Sequence, residues 1–169
     1  GFVFYEKSPR YVTPDAARGI IKHLPGRILK VGVFVENNEK QIKRIAKICG
    51  LDVLQFHGGQ TKEFCRKFKA YKVVKVFRVA KSIDFNEIRS YPVWGILFDK
   101  FSSRLYGGTG KSFDWNLLVK NKGLRKEIFL SGGINIRNVK KAMQRIKPDW
   151  LDVSSSLEKS PGKKDSRRI

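Results

Sequence analysis

Apolar positions fall into two alternating kinds of segment. Short runs rich in β-branched and aromatic residues predict strands at 1–5 ("GFVFY"), 29–35 ("LKVGVFV"), 52–57 ("DVLQFH"), 72–79 ("KVVKVFRV"), 93–99 ("VWGILFD"), 127–132 ("EIFLSG") and 150–155 ("WLDVSS"). Between them, apolar residues recur at helical spacing, which predicts helices at 13–24, 38–49, 61–70, 84–90, 115–121 and 136–146. Thr13 before Pro14 reads as an N-cap followed by proline at the first helical position. In "NEKQIKRIAKIC", Ile42, Ile45 and Ile48 share one face and lysines occupy the others.

The repeat of strand and helix runs roughly 20–35 residues, the length of a βα pair in a parallel sheet. Strands such as "KVVKVFRV" and "VWGILF" lack alternation of apolar and polar positions, as expected when helices cover the sheet. Two architectures fit: an open doubly wound sheet and a closed (β/α)8 barrel. In either, functional residues belong just beyond the C-terminal ends of the strands. Those ends carry "EKSPR", "ENNEK", "HGGQ", "DKFSSRLYGGTGKS", "SGGIN" and "SSSLEKSPGKK", whereas the opposite ends have plainer links such as "KHLPGR" and "KPDW".

Composition narrows the class. With 41% hydrophobic residues in 169, the chain can build one globular core. No apolar run approaches the roughly 20 residues of a membrane helix, and "GFVFY" is too short for a signal-peptide core. A cytoplasmic home without membrane contact is expected. Cys49 and Cys65 match no disulfide or zinc pattern, and His23 and His57 are isolated, so no metal is expected. The formal charge is +21, from 36 Lys and Arg against 15 Asp and Glu. Such a field attracts anions. The lysines are nevertheless spread over every helix, with no basic–aromatic cluster, so nucleic acid is not expected as the main partner.

Several motifs carry chemistry. "YGGTGKS" (106–112) is not a P-loop, because position 105 is Leu where that pattern needs glycine; Gly107, Gly108 and Gly110 fit a glycine-rich active-site lid that touches substrate. In "LSGGIN", Ser131, Gly132 and Gly133 precede a helix and can turn backbone N–H groups toward an anion. In "DVSSS", Asp152 ends a strand, and Ser154 and Ser155 offer hydroxyls to phosphate. The last two strand ends of a barrel are the usual phosphate site. Asp99, ending "VWGILFD", is placed for general-acid work, partly desolvated at the sheet's mouth. Arg10 can clamp a carboxylate or phosphate, and His57 ends a strand where substrate could touch it.

Taken together, "GFVFYEKSPRYVTPDAA", "LQFHGGQ", "GGTGKSFDW", "LSGGI" and the terminal "PGKKD" closely resemble the phosphoribosylanthranilate isomerases of tryptophan biosynthesis, across nearly the whole chain. The resemblance implies a (β/α)8 TIM barrel represented by seven parallel strands, strands 2 to 8 of the family order, with helices outside. It implies an Amadori rearrangement of N-(5-phosphoribosyl)anthranilate to 1-(o-carboxyphenylamino)-1-deoxyribulose 5-phosphate, without metal or cofactor. Asp99 then matches the general acid, Arg10 the group engaging the anthranilate carboxylate, and Gly132, Gly133, Ser154 and Ser155 the phosphate site. The implied partner is a small phosphorylated substrate, with room for fusion to or association with another tryptophan-pathway enzyme. Ser156 stands where the family usually has glycine in "SSG".

In the family the general base is a cysteine in a K-x-C-G segment ending the first strand. "KICGL" (47–51) has that spelling, but it ends the helix begun near Asn38, and the chain there leads into the N-terminal edge of a strand, away from the chemistry. Cys49 therefore reads as a packing residue and Gly50 as a helix cap. On this reading residues 1–169 form a single barrel domain trimmed at both ends. Its expected consequences are open sheet edges, a sticky or weakly stable chain, and little or no turnover. The alternatives from other classes are a non-catalytic phosphate-binding barrel and a basic nucleic-acid-binding protein.

Overall fold

The computed structural model describes residues 1–100, 114–119 and 123–169. Strands β1 (Phe2–Val3), β2 (Val31–Phe34), β3 (Val53–Phe56), β4 (Lys72–Val79), β5 (Gly95–Lys100), β6 (Glu127–Leu130) and β7 (Trp150–Leu151) alternate with helices α1 (Pro14–Ile21), α2 (Glu39–Cys49), α3 (Lys62–Arg66), α4 (Phe85–Ser90) and α5 (Val139–Ile146). All seven predicted strands form. They are hydrogen-bonded in sequence order in one sheet, with parallel registers such as Val31 opposite Val53 and Gly95 opposite Glu127. A doubly wound sheet reverses its strand order at a switch point. A monotonic order excludes that architecture and leaves the barrel type.

Local chemistry explains where the helices start. Thr13 Oγ1 accepts from the Ala16 amide, with Pro14 at the first position of α1. Asn38 and Gln41 form a reciprocal capping box on α2. Asp84 accepts from the Asn86 and Glu87 amides at the head of α4. Two predicted helices differ. The segment from 115 is, over the described residues, a 3-10 turn at Trp115–Leu118 capped by Asp114. The helix expected from 136 starts at Val139, because Asn138 Oδ1 accepts the Asn135 amide and Asn135 Oδ1 accepts the Arg137 amide, holding 135–138 in a turn. One element was not anticipated: β8 (Glu158–Ser160) and β9 (Lys163–Lys164) make a hairpin. Pro161-Gly162 supplies its turn, with Gly162 at φ 80°.

The chain divides into two compact units, Gly1–Lys75 and Val76–Ile169. In the first, Phe4 stacks on Phe34 at 5.4 Å and Phe56 packs edge-on against Phe68 at 5.1 Å. All four residues of β3 are buried, Gln55 included, which accounts for its lack of alternation. In the second, Ile96, Leu97, Phe98, Leu118 and Leu130 are completely buried. Each large side chain so buried contributes about 1.5–3 kcal/mol.

The N-terminal edge of the sheet uses one device twice. Asp52, before β3, donates its amide to the Lys30 carbonyl and accepts the Lys30 amide on its carboxylate at 2.7 Å. Asp149, before β7, does the same with Ile128, at 2.8 Å. These carboxylates satisfy amides at strand starts, and they are structural.

Candidate active site

At the C-terminal ends of the strands of the second unit, Asp99 is 4% exposed, one residue before the end of β5. Its Oδ1 accepts from the Lys100 amide at 2.8 Å. Facing it is the loop after β6. The Ser131 amide bonds the Phe98 carbonyl at 2.9 Å, so this loop leaves the sheet directly beside Asp99. Gly132 and Gly133 both adopt left-handed backbone, φ 81° and 84°. A Cβ on Gly132 would lie 2.6 Å from the Lys100 amide nitrogen and 3.1 Å from Asp99 Oδ1. Glycine is thus required twice over, by conformation and by the close approach. The Asn135 and Asn138 side-chain amides both donate to the Gly133 carbonyl, at 3.0 and 2.9 Å, and hold the turn.

The next loop begins at Asp152, whose amide bonds the Leu130 carbonyl at 2.9 Å. Ser154, Ser155 and Ser156 follow, half-buried, with Ser155–Leu157 in a 3-10 turn. Within this unit the structure therefore brings Asp99, Ser131, Gly132 and Gly133 together, and places Asp152, Ser154 and Ser155 at the end of the neighbouring strand β7. The terminal "PGKKD" closes behind them. Lys164 Nζ donates to the Ser154 carbonyl at 3.2 Å and pairs with the buried Glu158 carboxylate at 3.0 Å. The buried Asp165 carboxylate holds Arg168, which reaches the Ser156 and Glu158 carbonyls.

In the first unit, His57 follows β3, half-buried, with its amide on the Phe34 carbonyl at 2.8 Å. Arg10 is half-buried in the loop after β1, its amide on Ser8 Oγ at 3.1 Å. Sequence reasoning missed Lys75. It is 4% exposed on β4, and its amine donates to the Gly58 carbonyl at 2.6 Å. Gln60 joins the same turn, donating to the Val35 carbonyl at 2.7 Å and accepting from the Gly58 amide. A Cβ on Gly58 would lie 2.1 Å from the Val35 carbonyl oxygen. The available signal was a charge inside an otherwise apolar strand, "KVVKVF". Gly107, Gly108 and Gly110 lie outside the described residues.

Neither cysteine is built as a base. Cys49 is buried at the end of α2, its Sγ on the Pro14 carbonyl at 3.4 Å, with Gly50 as a left-handed cap. Burial, then Asp15, pushes its thiol pKa up. Cys65 is buried on α3 and burial pushes its thiol to about 11. A base needs the opposite shift. Among the described residues no group of three or more His, Cys, Asp or Glu could hold a metal ion.

The whole chain, residues 1–169, matches the family model described as N-(5'phosphoribosyl)anthranilate (PRA) isomerase. The chain belongs to the N-(5'-phosphoribosyl)anthranilate isomerase family. It is 38% identical to the enzyme of that name from Trichlorobacter lovleyi, over 100% of this chain and 82% of the relative. The phosphoribosyl anthranilate isomerase of Thermotoga maritima has the same fold, with a TM-score of 0.91 and 38% identity over 99% of this chain and 82% of that one. The α/β TIM-barrel type implied by the family resemblance, one of the two architectures the strand pattern left open, therefore holds, with seven parallel strands here. Another phosphoribosylanthranilate isomerase structure, at TM-score 0.87 and 36% identity over 99% of this chain and 81% of that one, is a complex with reduced 1-(o-carboxyphenylamino)-1-deoxyribulose 5-phosphate. No helix among the described residues is long and apolar enough to cross a membrane.

Proposed function

We propose that the protein acts in tryptophan biosynthesis on N-(5'-phosphoribosyl)anthranilate, and that Asp99 is its general acid. The observation that carries this reading is the junction of the buried Asp99 with the glycine turn at Gly132 and Gly133, in a chain that matches the isomerase family over its whole length. In this reading the phosphate lies against the Gly132-Gly133 backbone and the Ser131, Ser154 and Ser155 hydroxyls. The Arg10 guanidinium carries planar donors that suit the two oxygens of a carboxylate. Asp152, at the end of β7 and next to the loop after β6, contacts the remainder of the substrate.

The chemistry needs one proton in and one out. Asp99 gives its proton to the ribose ring oxygen, and the bond from that oxygen to C1′ breaks as the anilino nitrogen lone pair forms the Schiff base. A base then removes the C2′ proton, giving an enolamine that tautomerises to the ketone. The burial of Asp99 beside the glycine turn supports assigning it the first demand. Neither Cys49 nor Cys65 meets the second. The 169 residues by themselves therefore bind substrate but turn it over little or not at all. The alternatives of a nucleic-acid binder or an inert barrel have no specific feature of the site in their favour.

The deciding experiment joins the chain to a relative's N-terminal strand–helix unit bearing the K-x-C-G cysteine and assays isomerisation. The expected outcome is turnover in the joined protein, a loss of roughly 100- to 10,000-fold in its Asp99→Asn variant, and little or none in the 169 residues alone. Full activity of the 169 residues, or an unaffected D99N variant, would sink this assignment.

A further inference from the structure

We propose that Ser156 is a positioning residue whose hydroxyl couples the loop after β7 to the loop after β6, fixing the geometry in which the two loops hold phosphate. This rests on the phosphate reading above and names a residue it did not use. Ser156 Oγ donates to the Ile134 carbonyl at 2.6 Å. Ile134 is buried and directly follows Gly133. The bond thus ties the residue after Ser154 and Ser155 to the residue after the glycine turn.

Both partners are anchored on their other sides. The Gly133 carbonyl is held by Asn135 and Asn138. The Ser156 carbonyl is reached by Arg168, itself paired with Asp165, and the Ser154 carbonyl by Lys164, itself paired with Glu158. The carboxylates of Asp165 and Glu158 are 4% and 3% exposed, so the terminal segment is a fixed brace. The Ser156 hydroxyl is a side-chain link from this braced loop to the residue after the glycine turn. A hydroxyl has a single donor, and here the donor is committed to Ile134. The side chain therefore orients the loops instead of donating to a bound anion. Glycine or alanine at 156 cannot make the link.

The test is titration of the full chain with inorganic phosphate, following the amide resonances of Gly132, Gly133 and Ile134, beside thermal unfolding. In Ser156→Ala and Ser156→Gly the phosphate Kd should rise about five- to tenfold, the effect of losing one ordering hydrogen bond, with Tm lowered by only roughly 2–4 °C and unfolding still cooperative. Ser156→Thr, which keeps the hydroxyl, should restore binding to within about twofold of the parent. A parent that binds phosphate and an S156A variant that binds it equally overturn the proposal while leaving the phosphate site standing. No saturable binding in the parent overturns the site and the proposal together. Loss of cooperative unfolding in both S156A and S156G also overturns it, because the hydroxyl would then hold the fold rather than the loop.

Discussion

Single residues decide the site. Gly132 combines positive φ with a backbone neighbour where a side chain would go. Gly132→Ala should therefore lower stability by about 1–3 kcal/mol from backbone strain and abolish phosphate binding as the loop is pushed off Lys100; calorimetric titration with phosphate reads both the affinity and, on heating, the loss of Tm. Asp52 offers a pH test. Burial pushes its carboxyl up, but the bonds from the Lys30 amine and amide and the nearby Lys72 charge win, and its pKa is lowered. A depressed folded pKa contributes stability that is present above the unfolded value, about 3.9, and is lost as pH falls through the folded value. Denaturant midpoints measured downward from pH 5 should fall through that window. In Asp52→Asn the fall should be shallower, with a lower starting stability.

At the scale of elements, a helix start is legible where capping is local chemistry. Thr13 and Pro14 are adjacent, and the cap expected there forms; the Asn38–Gln41 capping box joins residues three apart and emerged only in the structure. Asn38→Ala should cost about 1 kcal/mol, a Tm loss of roughly 2–4 °C for a chain of this size, without changing phosphate affinity. Where neighbouring polar side chains compete for the backbone, the boundary moved: Asn135 and Asn138 delay α5 to Val139 although apolar spacing starts at Ile136. The hairpin of β8 and β9 was spelled by "SPGK", a proline-glycine turn. What that spelling did not reveal is that the next two residues, Lys164 and Asp165, brace the serine loop, Asp165 through Arg168.

For the whole molecule, the sequential strand order separates a barrel-type sheet from a doubly wound one. Its cover is basic. A net charge of +21 should steer any ligand bearing phosphate and carboxylate. The on-rate for reduced 1-(o-carboxyphenylamino)-1-deoxyribulose 5-phosphate, measured by stopped flow, should fall steeply as the Debye length shrinks from about 10 Å at 0.1 M salt toward 3 Å at 1 M. Salt-independent association would mean that the lysines act only locally.

The sequence by itself determined the seven parallel strands of the main sheet in chain order, though not the β8–β9 hairpin, and the Thr13 and Gly50 caps. It also placed Cys49 at a helix end, and these all follow from residues adjacent in the chain or repeated at a fixed period. Only the tertiary structure decided what depends on residues far apart in the chain. It set the Gly132 backbone against Lys100, turned Lys75 onto the Gly58 carbonyl, made Asp52 and Asp149 clamps rather than reactive groups, and joined Ser156 to Ile134. The physical reason is that periodicity reports which face of an element is buried, whereas a hydrogen bond between loops depends on where two strand ends come to lie side by side.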